Sequence, residues 1–387
     1  MISPGRQRAG LSIATSTTLA LLAVIQSRFL GPENRGLIVL IQSISATSAI
    51  IGSLGYGIAR SGVKFERLTI KELKKHVLIS ISISLVALFV FSLSQEDLIS
   101  PISITYLTVT TLSLSSTFLL LDLTFVSKHS LHIRILILLL TLTEIIVVAF
   151  LGVKDEITLA NVMLISSLFS TLNLVGLIVL LKEKIDYKSK EKRRVFSDWP
   201  YLVYFLAAYQ FVNFYRLPSS VYLNTSEIAN LSVAFSIAFI GMPFIYHVAQ
   251  HLKAQTMSNG KIQEREIRVI AQAIFLISLS SLILAVYSNA LISLTVGREF
   301  SDASPQLRVI SGAVPPFTLF LFYLSIKQGL SGKPQLALSA IYLGTCSVVG
   351  LTAGFYGGPL AICFSILIIH VFLGVVSILR MFSLAKN

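Results

Sequence analysis

Long apolar runs separated by short polar segments dominate the chain from end to end. Each run holds about 20 mostly apolar residues, the length that an α-helix needs to cross the hydrocarbon core of a bilayer. Continuous runs favour helices over barrel strands, whose apolar positions would alternate over about 10 residues. The pattern predicts twelve spans, at 10–29, 37–58, 76–94, 102–126, 135–152, 157–181, 200–217, 227–250, 269–296, 306–327, 335–353 and 359–380.

Composition supports a membrane protein. Of the 387 residues, 54% are hydrophobic and 13% are charged, and the mean hydropathy is +0.81. A soluble domain carries roughly 25% charged residues, and its core cannot bury this much apolar surface. The start of the chain, with Arg6 and Arg8 before an apolar run, is superficially similar to a signal peptide. The run continues to Phe29 without a small-residue cleavage site, so we expect an uncleaved first helix.

The positive charges predict orientation. All but six of the 31 lysines and arginines belong to the termini or to alternate loops on one side. Cytoplasmic loops are enriched in Lys and Arg, so both termini should be cytoplasmic, which requires an even number of spans. This topology also accounts for the net charge of +13, and no nucleic-acid partner is expected.

Two similar halves are predicted. The densest basic run, 182–194, lies at the midpoint, which suggests an N-terminal six-helix lobe (1–181), a basic cytoplasmic linker (182–199) and a C-terminal six-helix lobe (200–387). A shift of 194 residues places Glu33 on Glu227 and Leu37 on Leu231. Such a parallel repeat, with its axis along the membrane normal, occurs in transporters that rock two bundles around a central cavity.

Motifs for catalysis are missing. The sequence contains no GxxxxGK[ST] loop, so we expect no ATP hydrolysis by this chain. The predicted outer loops are short, and none is the sizeable loop with catalytic acids that a polymerase or glycosyltransferase would require. Cys346 and Cys363 both lie in apolar runs, without disulfide or metal spacing. The sequence therefore indicates a transporter, with no catalytic residues, cofactor or metal, driven by an ion gradient, the membrane potential or the substrate gradient.

Two acids inside predicted spans are candidates for ion coupling, since charges in a membrane are costly and usually functional. Glu144 lies mid-span in LLTLTEIIVV, and Asp122 lies in FLLLDLTF nearer the cytoplasmic end. The coupling ion would be H⁺ or Na⁺. Alternatively, Glu144 is a hydrogen-bonded carboxyl that ties helices together, and Asp122 pairs with Lys128 or Arg134.

The seventh predicted span carries a polar stripe. Tyr201, Phe205, Tyr209, Asn213 and Arg216 recur at helical spacing on one face. Aromatic rings and amides suit sugars, and the planar guanidinium of arginine suits phosphate. The alternative is an interfacial tyrosine girdle with a snorkelling arginine. The candidates for a substrate-binding cavity are Arg28, Arg60, Tyr209, Gln210, Asn213 and Arg216.

Five strings, in order along the chain, carry a family resemblance: RFLGPENRG, GSLGYGIAR, VGREFSDASPQLRVI, GLSGKPQLAL and GFYGGPLAICFSI. They resemble the polysaccharide or O-antigen flippase branch of the multidrug/oligosaccharidyl-lipid/polysaccharide (MOP) exporter superfamily. The resemblance implies a V-shaped pair of lobes in a bacterial cytoplasmic (inner) membrane. It also implies movement of an undecaprenyl-pyrophosphate-linked oligosaccharide for surface polysaccharide, O-antigen or lipopolysaccharide biosynthesis. The implied partners are this substrate, membrane lipids and other polysaccharide-assembly proteins.

The same resemblance gives Arg28 and Arg60 places comparable to functional arginines of the peptidoglycan-precursor branch. It also exposes a departure, because Arg216 is followed by Leu217 where the family commonly has Asp. A multidrug/cation antiporter and a flippase for another lipid-linked precursor remain alternatives on the same fold. The antiporter predicts an acidic cavity, whereas the candidates here are mainly basic.

Overall fold

A computed structural model describes residues 4–53, 68–95, 98–123, 129–154, 156–181, 185–186, 199–209 and 211–386. Nearly all of them are helical. The helices are α1 (Pro4–Ser53), α2 (Ile70–Ser92), α3 (Pro101–Leu123), α4 (His129–Val153), α5 (Leu159–Leu181), α6 (Trp199–Tyr209), α7 (Phe211–Ser219), α8 (Thr225–Ala238), α9 (Met242–Asn259), α10 (Glu264–Val286), α11 (Ser288–Thr295), α12 (Ala303–Ser311), α13 (Val314–Ser331) and α14 (Leu336–Lys386), with a 3₁₀ turn at Arg298–Phe300.

Helices α1 and α14 are too long for one crossing. They have 50 and 51 residues, and at about 1.5 Å per residue each would be more than twice as long as a bilayer core is thick. Each contains a glycine with non-helical angles, Gly31 (φ 73°, ψ 171°) and Gly358 (φ 66°, ψ −160°). Pro32 and Pro359 follow, and proline suits the first position of a helix. Each long helix therefore supplies two spans.

Counting the breaks gives the number of crossings. Seven described helices are long and apolar enough to cross a membrane, and two bent pairs, α8–α9 (52°) and α12–α13 (46°), raise the number to nine. Division of α1 at Gly31 and of α14 at Gly358 adds two more. The apolar α6, continued by α7, completes twelve in the described part of the chain, in agreement with the sequence pattern.

The spans form two six-helix lobes, α1–α5 and α6–α14. In the first lobe, α1 packs on α2, α3 and α4; in the second, α14 packs on α7 and α13. The most extensive helix contact among the described residues joins the lobes, between α1 and α8. The large buried cluster around Phe211, Phe317 and Tyr342 belongs to the second lobe, but it also includes Val39 and Ile50 of α1. The cavity described below therefore has walls from both lobes.

Two local features differ from the sequence-based expectation. Residues 30–36 were expected to form an outer loop, but the helix resumes at Pro32 because the chain reverses at Gly31 alone, which places Arg35 inside the second span. A two-residue parallel pair, Leu68–Thr69 with Ile185–Asp186, was not expected at all.

Candidate functional site

A cavity of about 230 Å³ lies between the two lobes. Its walls come from α1, α7 and α8, and apart from a few small apolar side chains they are polar. The polar lining residues are Arg35, Gln42, Ser43, Asn213, Arg216, Ser232 and Ser236. Because α1 belongs to the first lobe and α7 and α8 to the second, relative movement of the lobes must change the shape of this cavity.

Arg35 is held in the wall by the break in α1. The left-handed backbone at Gly31 and the restart at Pro32 put Arg35 on the first turn of the second span, where only 4% of it is exposed. One of its terminal nitrogens, Nη1, donates a hydrogen bond to Oε1 of Gln26, 2.7 Å away. Its Nε has no hydrogen-bond partner among the described residues. The buried guanidinium is therefore oriented by a neutral group and keeps unused donor capacity.

Arg216 reaches the same cavity from the other lobe. It lies in the last turn of α7, where the helix dipole favours a cation. Its Nη1 donates to the hydroxyl of Ser43 on α1, 2.9 Å away, and its buried Nε has no partner among the described residues. One turn earlier, Asn213 donates from Nδ2 to Oγ1 of Thr47, 3.1 Å away. These two hydrogen bonds hold α7 against α1 across the boundary between the lobes.

The cavity is positively charged. Arg35 and Arg216 are close enough to act on each other electrostatically. Neither guanidinium forms a salt bridge with a described residue. Two partly desolvated cations with no described acidic partner are costly, and a bound anion would offset this cost. Arginine offers a planar set of N–H donors that matches phosphate oxygens.

Further polar side chains lie between the cavity and the interior of the first lobe. The amide Nε2 of Gln42 donates to the hydroxyl of Tyr106 on α3, 2.9 Å away. Further in, the hydroxyl of Ser166 on α5 donates to Oε1 of Glu144 on α4, 2.5 Å away. The sequence-predicted Glu144 is 8% exposed and thus lies inside the lobe rather than in the cavity wall.

The other predicted site residues have varied positions. Asn213 and Arg216 line the cavity together. Arg28 is exposed and is absent from the cavity lining, and its Nη1 donates to the backbone carbonyl of Leu294, 2.9 Å away. Arg60 and Gln210 lie outside the described residues. Two further candidates are placed only by their backbone, and their side chains lie outside the description; they are Tyr209, at the end of α6, and Asp122, in α3.

Sequence reasoning missed Arg35, Gln42 and Tyr106. Arg35 was counted among the charges of an outer loop, because residues 30–36 separate two apolar runs. The Gly31–Pro32 pair was the available signal, since proline favours the first turn of a helix and so places Arg35 inside one. Gln42 and Tyr106 sit in otherwise apolar or hydroxyl-rich spans, and no local pattern distinguishes them from packing residues.

Comparisons with known proteins agree with this architecture. No protein-family model and no curated protein matches the chain. Among solved structures, an inward-facing multidrug resistance MATE family transporter of the MOP superfamily covers all of both chains at 13% identity, with a TM-score of 0.65. The lipid II flippase MurJ, in an inward closed conformation, covers 97% of this chain and 87% of its own at 16% identity, with a TM-score of 0.68.

An outward-facing MATE family transporter also matches, over all of this chain and 98% of its own, at 13% identity and a TM-score of 0.56. Identities this low establish the fold. The chain is a multi-pass membrane protein with the MOP architecture that MATE transporters and MurJ share.

Proposed function

We propose that this protein is a flippase that moves a polyprenyl-pyrophosphate-linked oligosaccharide across the bacterial cytoplasmic membrane by alternating access. The observation that carries the proposal is the meeting of Arg35 and Arg216 in one interlobe cavity, each with a buried Nε that has no partner among the described residues. The pyrophosphate would bind these donors, and Asn213 and the cavity hydroxyls would contact the first sugar.

The physical need for such a protein is large. Transfer of an unpaired ionised group from water into hydrocarbon costs tens of kcal/mol in the idealised limit. A pyrophosphate headgroup therefore does not cross the bilayer unaided at a useful rate. A cavity with fixed cations provides the headgroup with a polar route, while the polyprenyl chain stays in lipid. No covalent bond changes, so the process requires no catalytic residue.

The size of the cavity supports movement of the lobes. At about 230 Å³ it is smaller than the roughly 300 Å³ at the lower end of ligand pockets, and an oligosaccharide exceeds it. The walls must therefore separate to admit the cargo. Among the described residues, hydrogen bonds cross between the lobes at this wall from Asn213 to Thr47 and from Arg216 to Ser43, each worth about 0.5–3 kcal/mol.

The same fold supports a second candidate, since a MATE family transporter with this architecture is a multidrug resistance transporter. Cationic drugs would require acidic groups in the cavity, and they would be repelled by Arg35 and Arg216. The charge of the described lining therefore favours an anionic cargo. A flippase for another lipid-linked anionic precursor shares the same chemistry, and MurJ is a lipid II flippase.

Reconstitution tests the proposal directly. Vesicles containing the protein and a fluorescent polyprenyl-diphosphate disaccharide would be mixed with a membrane-impermeant quencher, and flipping would appear as growth of the quenched fraction. We expect Arg35→Gln and Arg216→Gln each to slow flipping about tenfold or more, because each loses charge-assisted hydrogen bonds worth about 1.5–3 kcal/mol. The exposed Arg308→Gln is the matched control.

The cargo's charge supplies a second control. A polyprenol-linked disaccharide without the diphosphate should be moved poorly by the wild-type protein and should be insensitive to both substitutions. Wild-type flipping by both arginine variants, present in normal amounts, would rule out the proposed headgroup site. Accumulation of cationic dyes in place of lipid flipping would favour the multidrug antiporter.

In the native host, deletion of the gene should leave complete lipid-linked repeats on the cytoplasmic face, detectable by mass spectrometry and lectin accessibility.

A further inference from the structure

Glu144 is joined to the cavity by a short path of polar side chains. Gln42 lines the cavity, and its amide Nε2 donates to the hydroxyl of Tyr106, 2.9 Å away. Tyr106 is 2% exposed; it lies within hydrogen-bonding reach of Ser166 and interacts electrostatically with Glu144 and Arg35. Ser166 completes the path with its 2.5 Å hydrogen bond to Oε1 of Glu144. The four residues come from α1, α3, α4 and α5, so the path depends on the folded lobe.

The surroundings of Glu144 contain few charges. The facing group on α5 is the hydroxyl of Ser166, and α3 contributes the titratable Tyr106. Arg35 on α1 acts on Tyr106, which makes Tyr106 the group that interacts with both the acid and the cavity cation. No described lysine, arginine or histidine forms a salt bridge with Glu144. Ionised Glu144 therefore depends for its stability on hydroxyl donors.

We propose that Glu144 binds and releases a proton during transport, and that Tyr106 and Gln42 link this protonation to the occupancy of the arginine cavity. The proposal rests on the anionic cargo proposed above. The proton comes from water and returns to it, and no covalent bond to carbon or phosphorus changes.

The hydrogen bonds give the link a direction. When Glu144 is ionised, the hydroxyl protons of Ser166 and Tyr106 are drawn toward its carboxylate, and the tyrosine oxygen accepts from Gln42. When Glu144 is protonated, its own O–H can donate to the tyrosine oxygen and compete with Gln42. The amide of Gln42 is then free to donate into the cavity, and a nearby negative charge has also been removed. Protonation should thus strengthen binding of an anion, and anion binding should promote proton uptake by the same factor.

The chemistry of the path favours a proton over a metal cation. The side chains found to interact with the Glu144 carboxyl are Ser166 and Tyr106, and each offers one hydroxyl. The described residues contain no group of three or more His, Cys, Asp or Glu side chains that could hold a metal ion. A requirement for Na⁺ in binding or flipping would therefore overturn the assignment to a proton.

Two measurements on the purified full-length protein test the proposal. The first needs no cargo: infrared difference spectra between mildly acidic and mildly alkaline pH should contain a carboxylic-acid band that Glu144→Gln removes. The second is affinity for the polyprenyl-diphosphate disaccharide over the same range, in which a pyrophosphate diester does not titrate. Wild-type affinity should rise about fivefold or more on acidification.

The variants separate the parts of the link. Glu144→Gln should bind tightly at every pH, and Tyr106→Phe should keep the infrared band but lose most of the pH dependence of affinity. Thr141→Val is the control, because its buried hydroxyl on the same helix α4 donates only to the Ile137 carbonyl of its own helix, 2.8 Å away. It should behave like the wild type in both measurements.

Each failure has a distinct meaning. A spectrum unchanged by Glu144→Gln would overturn the proton site. An unchanged pH dependence of affinity in Glu144→Gln or in Tyr106→Phe would overturn the link. Absence of cargo binding at every pH, with the infrared band present, would reject the proposed function and the link together, while the proton site would stand.

Discussion

Gly36 lies so close to Thr225 that a Cβ atom at position 36 would be 1.9 Å from the Thr225 backbone carbonyl oxygen. This contact joins the second span of the first lobe to the start of α8 in the second lobe. It occurs at the end of the molecule opposite the basic loops. The charge distribution predicts that this end is extracytoplasmic. Two hydrogen bonds from Gln95 to the carbonyls of Ser220 (3.2 Å) and Leu223 (2.8 Å) cross between the lobes nearby.

Gly36→Ala should therefore weaken the contact between the lobes. The added methyl group meets backbone, which cannot rotate away, and overpacking of this kind typically costs about 1–3 kcal/mol. The expected result is a lower Tm and faster labelling of an introduced Ser232→Cys by an impermeant maleimide from the outer side. Gly344→Ala is the control, since nothing lies within 4 Å of its added Cβ. Equal behaviour of the two variants would contradict the close contact.

The hairpin at Gly31 should tolerate no side chain. Its angles (φ 73°, ψ 171°) fall in a region that is essentially restricted to glycine, and a non-glycine residue there costs about 1–3 kcal/mol. Gly31→Ala should lower Tm and headgroup affinity together, because this turn sets the position of Arg35. Gly10→Ala, at a helical site with nothing within 4 Å of its added Cβ, should leave both unchanged. A Gly31→Ala variant with wild-type Tm would disprove the strained turn.

Gln26 should act on the cargo through Arg35. It is 1% exposed, and its Oε1 accepts the 2.7 Å hydrogen bond that orients the guanidinium. Gln26→Ala should reduce headgroup affinity about tenfold, as a hydrogen bond to a charged group is worth about 1.5–3 kcal/mol. Gln26→Glu should reduce headgroup affinity more than Gln26→Ala does, because a carboxylate 2.7 Å from the guanidinium would neutralise the charge of Arg35.

Stability separates these two variants. Gln26→Glu should fold at least as stably as Gln26→Ala, since the pairing of buried Arg35 with an acid removes an uncompensated charge. Measurement of Tm beside equilibrium binding of the polyprenyl-diphosphate disaccharide checks both effects. Binding by Gln26→Glu at the wild-type level would show that Arg35 does not contact the headgroup.

Arg28 and Arg35 should differ sharply although only seven positions separate them. Arg28 is exposed and contacts the Leu294 carbonyl, whereas Arg35 is buried in the cavity wall. We expect Arg28→Gln to retain headgroup affinity and to change stability by less than about 1 kcal/mol, as a surface contact does. Arg35→Gln should lose binding. Equal losses of affinity in the two variants would return Arg28 to the binding site, where its sequence position first suggested it.

Much of the fold was predictable because membrane insertion depends on local composition. A run of about 20 apolar residues must satisfy its backbone hydrogen bonds internally, so it becomes a helix wherever it lies in the bilayer. The twelve spans follow from this rule, including those that meet at Gly31 and Gly358. The positive charges in alternate loops predict the orientation for a similarly local reason.

The cavity was predictable only in part. Asn213 and Arg216 stood out because a polar stripe on an apolar helix must avoid lipid. Arg35 did not stand out, because the choice between loop and helix depended on a single turn at Gly31. Tyr106 and Gln42 gave no signal, since each looks like any other packing residue until α3 and α1 are brought together.

The sequence by itself determined that this chain spans the membrane about twelve times in two lobes, because apolar length and charge placement act locally. Only the tertiary structure decided which polar side chains meet. Arg35 and Arg216 are 181 positions apart, and packing of α1 against α7 puts both in one cavity while it leaves Arg28 exposed. Packing of side chains across the lobe boundary is a long-range property, and for this reason hydropathy does not reveal which cations line the cavity.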